Sequence, residues 1–129
     1  MHIASTLISA AVGGAFGTGS GGAVVASGAK FHKEKNPKPL LMGAAGAAVF
    51  AAQMMNFTIA GTGSSGHIGG GFLLAAVLGP VPAYLVMSVI LTVQCLLFGD
   101  GGLLALGCNL FNMGIVPCFL IYPLLKKLL

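Results

Sequence analysis

Residues 29–57 read AKFHKEKNPKP LLMGAAGAAVFAAQMMNF: eleven residues holding four of the chain's six lysines, then eighteen with no charge. The polar half carries Lys30, Lys33, Lys35 and Lys38 with Glu34, and Pro37 and Pro39 stop any helix from running through it. The apolar half lies near the roughly 17-residue lower limit for crossing a bilayer. A basic loop against an uncharged apolar run reads as a membrane segment with its cytoplasmic flank. His32, among the lysines, reads as a solvated loop histidine.

The composition extends this reading to the whole chain. Of 129 residues, 57% are hydrophobic, 6% are charged and 21 are glycine, and the mean hydropathy is +1.00. Soluble domains carry roughly a quarter charged residues, so an ordinary soluble globule and a disordered tail are both excluded. The net charge of +4 does not make a nucleic-acid binder, because the lysines sit in one short loop rather than on a basic face. Small residues dominate, with no Trp. The expectation is an all-α, polytopic transmembrane helical bundle packed closely through glycine. Cys95, Cys108 and Cys118 fall in apolar stretches without CxxC spacing and read as buried thiols.

Outward from the opening stretch, the spacing predicts membrane segments at about 5–28, 40–57, 68–82, 83–98 and 103–125 in one integral membrane domain. In the first, Gly13, Gly17 and Gly21 recur every four residues and line one helix face, where another helix can approach. In the second, Gln53 and Asn56 lie three apart on a face that looks inward, since an amide in lipid needs a partner. Residues 58–71, TIAGTGSSGHIGGG, are a Gly/Ser/Thr loop around His67. Residues 68–78 alone are too short to span. Met54, Met55, Met87 and Met113 read as core packing.

With the 29–39 loop inside, five crossings put the N-terminus, the His67 loop and Asp100 outside and return Lys126 and Lys127 to the cytoplasm. Without a crossing at 68–82 the last two lysines fall on the wrong side.

The chemistry lies in the histidines of the outer face. His2 offers its Nδ1 and its backbone amide beside the free amine of Met1. These three nitrogens close two fused chelate rings on one metal ion and leave an in-plane position that His67 could fill. Four nitrogens in a plane suit Ni(II) or Cu(II) rather than tetrahedral zinc. The competing reading is an exposed terminal histidine and a loop histidine bonded to backbone. Residue types alone leave both open.

The start Met1-His2-Ile3, the stretch Ala51–Gly71 (AAQMMNFTIAGTGSSGHIGGG) and the stretch Gln94–Gly114 (QCLLFGDGGLLALGCNLFNMG) resemble the CbiM/NikM family. These are substrate-binding membrane subunits of energy-coupling-factor cobalt and nickel transporters. The resemblance covers nearly the whole chain. It implies Met1, His2 and His67 as the metal ligands and Ni2+ (or Co2+) as transported substrate, with no organic cofactor. It implies a bacterial or archaeal cell membrane and an N-terminus outside. The partners implied are a membrane coupling protein, a cytoplasmic ATPase pair and a small accessory membrane subunit. The chain carries no Walker motif, so ATP hydrolysis belongs to those partners.

Gln53, Asn56, Ser64, Ser65, Gln94, Asp100, Asn109 and Asn112 lie in the signature stretches and are candidates to support the ligands. Asp100 reads equally as the cap of the helix that follows it. Asn109 and Asn112 lie three apart on one helical face, as interhelical hydrogen-bonding groups do. Two departures stand out. Family members commonly carry an acid soon after Met-His-Ile, where this chain has Ala4, Ser5 and Thr6. They are also usually longer, so the chain is expected to be a truncated form, a split gene or a fragment. The alternative function is a non-transporting or structural membrane protein of the same family. A membrane enzyme has no Ser/His/Asp set or carboxylate pair to support it.

Overall fold

The computed structural model describes residues 9–55, 57–58, 65–66, 69–98 and 102–128. Five helical runs follow one another: α1 (Ala10–His32), α2 (Pro39–Met54), α3 (Gly71–Leu78), α4 (Pro80–Phe98) and α5 (Leu106–Leu128). The all-α bundle expected from composition is the observed architecture, with one addition. Phe57–Thr58 (β1) and Ser65–Gly66 (β2) pair antiparallel, Phe57 with Gly66 and Thr58 with Ser65.

Each helix begins and ends for a local reason. Ser9 caps α1, its hydroxyl accepting from the Val12 amide at 3.2 Å. The helix runs on to His32, so Lys30 and His32 lie in its last turn, where a cation suits the negative end of the dipole. They are not loop residues, as the sequence suggests. Pro39 opens α2 at a position whose N–H would have no partner. The expected 68–82 segment is broken at Gly79, whose φ of 89° and ψ of 163° suit glycine alone. Pro80 and Pro82 therefore open α4 instead of closing α3.

Contacts give the directions. Gly46 of α2 packs under Val86 of α4, and Phe50 meets Phe98 with ring centroids 5.9 Å apart, so these two run parallel. Phe16 of α1 stacks edge-on against Phe111 of α5 at 5.1 Å, and the Ser20 hydroxyl donates to the Gly107 carbonyl at 2.8 Å. Tyr84 of α4 donates to the Ser20 carbonyl at 2.9 Å, and its ring lies over Gly114. A Cβ at Gly13 would meet Leu104 and one at Gly107 would meet Gly17, so α1 and α5 advance together. Gly71 and Phe72 of α3 meet Met113 and Tyr122 in the same sense. The ends of α1 and α5 both border the start of α4, so α1, α3 and α5 run one way and α2 and α4 the other.

One end of the bundle gathers the charge. Glu34 and Lys38 border a cleft with Leu78 and Pro82, while Lys126 and Lys127 border another with Gly79 and Pro80. Both basic clusters therefore flank the α3–α4 corner. The opposite end holds Ser9, the last turns of α2 and α4, and the start of α5.

The solvent pattern is inverted relative to a soluble protein. The core joins Val49, Leu74, Tyr84, Met87, Leu91 and Cys118, and with them Ser20, Gln53, Ser88, Gln94 and Asn109 are buried. Leu40, Val25, Leu97 and Leu128 stand 72–87% exposed. Polar groups inside and apolar groups outside are what a hydrocarbon surround demands. By length and composition α4 and α5 can each cross a membrane; α2, with sixteen residues, is shorter. Eight-residue α3 rises only about 12 Å at 1.5 Å per residue. It starts part-way along the bundle, where Gly71 packs against Met113 and Pro117.

Within α5, residues Phe111–Ile121 form a π-helix with Pro117 inside it. The Tyr122 amide donates to the Pro117 carbonyl, five residues back. Proline has no N–H for the α ladder, and the wider turn rearranges the pairing around it. This corrects the reading of Asn109 and Asn112 as one face. The register changes between them, and Asn109 is buried while Asn112 is exposed. Met87 and Met113 are core residues as expected, but Met54 and Met55 are exposed at the end of α2.

Candidate metal site

The uncharged end of the bundle carries a buried polar cluster built from α2, α4 and the start of α3. Gln53, in the last turn of α2, and Gln94, one turn from the end of α4, are each 1% exposed. The Gln94 Nε2 donates to Gln53 Oε1 at 2.9 Å. The Gln53 Nε2 donates to the Gly69 carbonyl at 2.5 Å and lies 3.7 Å from the Met87 sulfur. Gly70, with φ of 82°, turns the chain into α3 where a side chain would strike Val49.

These bonds fix the two flanks of the loop histidine. Gly66 is paired to Phe57, and the Gly69 carbonyl is held by Gln53. His67 itself lies outside the described residues, as do Met1, His2, Asn56, Ser64 and Asp100. Ser65 is placed through its backbone pairing with Thr58. The structure thus brings Gln53 and Gln94 together, buries Asn109 and leaves Asn112 on the outer surface.

Asp100, read equally as a helix cap and as support for the ligands, lies outside the described residues. Helix α5 begins at Leu106, and its N-cap is Ala105, with no side-chain cap. A tight turn over residues 103–105, entered through Gly102 at φ of 85°, precedes the helix.

Sequence reasoning missed three participants: the Gly69 carbonyl, the Met87 sulfur and the Tyr84–Ser20 bond. The first is a backbone group, silent in any residue pattern. The other two left a faint trace, a lone polar or polarisable residue in an apolar helix.

Among the described residues no three His, Cys, Asp or Glu side chains cluster to hold a metal. Cys95, Cys108 and Cys118 are buried and in no disulfide, and Cys118 donates weakly to the Gly71 carbonyl at 3.6 Å. Every described charged side chain belongs to the other end. What the described residues of this end supply is neutral: buried amides, a carbonyl and a thioether.

Comparison with known proteins agrees with that architecture. Residues 2–129 match the family described as CbiM, cobalt uptake substrate-specific transmembrane region. A putative fused nickel transport protein NikMN of Archaeoglobus fulgidus is 52% identical over 64% of this chain and 28% of its own length. A putative metal transport protein of Haloquadratum walsbyi is 39% identical over 98% of this chain and 58% of its own. A crystal structure of a transition metal transporter superposes with a TM-score of 0.86 at 33% identity, over 99% of this chain and 56% of that one. A truncated transition metal transporter gives 0.84 at 35% identity, covering 61% of that chain. The chain thus spans between about a quarter and three fifths of the length of these relatives.

Proposed function

The chain belongs to the CbiM family of cobalt uptake substrate-specific transmembrane regions, and from that premise we propose that it captures Ni2+ or Co2+ for an ATP-driven uptake transporter. The ion is the cargo. Its ligands are the Met1 amine, the His2 amide nitrogen and Nδ1, and His67. The observation that carries this reading is the convergence at one end. Ser9, through which the N-terminal segment joins the bundle, and both flanks of His67 lie at the same uncharged end.

The chemistry follows from the donor set. The N-terminal amine and the imidazole bind only when unprotonated, and the amide nitrogen must lose its proton. Binding therefore releases protons and weakens as pH falls. Four nitrogens in one plane favour nickel over cobalt, because Ni(II) accepts square-planar geometry readily. One amide anion leaves the bound dication with a net single positive charge, which the surrounding neutral dipoles solvate.

In this reading the basic end lies in the cytoplasm, the N-terminus lies outside and the chain makes five passes, with α3 supplying the inner part of the third; the gathering of both lysine clusters at one end supports it. A membrane coupling protein and cytoplasmic ATPases supply the energy.

Metal content decides the matter. Detergent-purified chain incubated with Ni(II) is expected to retain one ion, and to lose it both in His67→Ala and in a form with one residue added before Met1. Unchanged affinity in either would overturn the ligand set. Parallel incubation with Co(II) is expected to give weaker retention.

A further inference from the structure

The α3–α4 corner and the last turns of α5 enclose an open cleft of about 540 Å3, lined by Gly79, Pro80, Tyr122, Pro123, Lys126 and Lys127. Two cations share it, and no described carboxylate lines it. Among the described residues the one acid is Glu34, which borders the cleft on the other side of the corner and accepts from the Asn36 amide at 3.3 Å. Pro80 and Pro82 bring no N–H to the start of α4. The cleft is therefore a pair of ammonium groups beside an apolar wall, and no described side chain balances their charge.

The surroundings decide what kind of anion fits. Leu124 and Leu128, in the same turns of α5, are 59% and 72% exposed, so the end of this helix divides into a cationic face and an apolar one. The Lys126 Nζ lies 5.9 Å from the centre of the Tyr122 ring, which carries its aliphatic stem toward the cleft mouth. The Tyr122 ring in turn meets the ring of Phe72 at 6.0 Å, and Phe72 is exposed in the first turn of α3. An apolar seam thus leads from the cationic mouth along α3 and α5 toward the middle of the bundle. A free phosphate fills the mouth alone, whereas a phospholipid fills the mouth with its phosphodiester and the seam with an acyl chain. A cation near the end of α5 also suits the negative end of the helix dipole. That accounts for lysines there, but not for a shared cleft with a seam beneath it.

We propose that this cleft binds the phosphodiester headgroup of an anionic phospholipid, held by Lys126 and Lys127, with an acyl chain lying along Tyr122 and Phe72. Basic clefts between transmembrane helices on the cytoplasmic side take such headgroups. The proposal rests on the membrane placement read above and not on the metal ligands. A lipid seated there ties the end of α5 to the α3–α4 corner.

The test is native mass spectrometry of the full chain in detergent, titrated with phosphatidylglycerol or with phosphatidylcholine of the same acyl chains. A lysine near an anionic lipid surface is worth about 1 kcal/mol, so two predict a preference of about 30-fold for the anionic lipid. Lys126→Gln/Lys127→Gln is expected to abolish the preference. Lys33→Gln/Lys35→Gln, which removes the same charge from the other basic cluster, is expected to keep it. Equal losses in the two double variants would mean diffuse attraction and overturn the site, as would a wild type that does not distinguish the lipids. Inorganic phosphate and glycerol phosphate are expected not to displace the lipid at equal concentration, and displacement by either overturns the lipid assignment. Displacement by a Glu-rich peptide at equal concentration overturns it too, in favour of an acidic protein partner. All four lysines are exposed, so the variants are expected to fold, and the wild-type arms decide without them. A chain recovered from cells without detergent would sink the membrane reading and this proposal together; loss of the lipid preference sinks the proposal alone.

Discussion

At the scale of single residues, the packing of this bundle is decided by where a β-carbon is missing. A Cβ at Gly107 would run into the backbone of Phe16 and Gly17. Gly107→Ala must push α1 off α5 and break the Ser20 bond, so it is expected to cost about 1–3 kcal/mol, as overpacked cores do. Gly14→Ala meets nothing within 4 Å, and gains up to roughly 1 kcal/mol of helix preference. Thermal unfolding in detergent should separate the two, and equal midpoints would mean that the close approach is not structural. Of the legible period Gly13, Gly17 and Gly21, the first packs against Leu104 and the second lies under Gly107, while a Cβ at Gly21 would meet nothing within 4 Å. The partner was not legible, because its segment holds two glycines, Gly107 and Gly114, and nothing in their neighbours marks which helix each meets. The lone amide Gln53 was legible as inward-facing, and it is buried; Asn56 lies outside the described residues. That Gln53 would bond to Gln94, forty-one residues on, needed the fold.

At the scale of elements, the least legible part is the α3–α4 corner. The residues Gly79-Pro80-Val81-Pro82 mark a break, but not on which side of the prolines the next helix begins. The answer depends on Gly79, whose positive φ lets the chain reverse and places Pro80 in the first turn of α4. Gly79→Ala is therefore expected to destabilise by about 1–3 kcal/mol, the usual cost of a non-glycine residue in this backbone region. A melting temperature equal to wild type would show that the corner relaxes freely. The π-helical stretch of α5 was hidden for a different reason. A proline in an apolar run announces a kink or a break, and the choice between them belongs to what packs on it, here Gly71 of α3. That choice moved Asn112 to the surface and left Asn109 inside.

At the scale of the whole molecule, the alternation of helices followed from two small groups of lysines, and the contacts place both at one end. The fold class and this polarity were the most legible features, because hydropathy and charge are sums over many residues. The proposed orientation has a direct check. Ser9→Cys should react with a membrane-impermeant thiol reagent in intact cells, and Lys35→Cys should react only after lysis, since Cys95, Cys108 and Cys118 are buried. Labelling of Lys35→Cys in intact cells would reverse the orientation.

The lopsided charge also sets how long that orientation lasts. Turning the molecule over would draw six lysines through hydrocarbon, at roughly 2.5–3.5 kcal/mol for each at mid-bilayer on insertion scales. Nothing at the neutral end offers a counterweight among the described residues. Insertion is therefore a ratchet: the sidedness acquired during synthesis is a history that thermal motion does not erase. A population reconstituted into vesicles in mixed orientations should keep its initial ratio indefinitely.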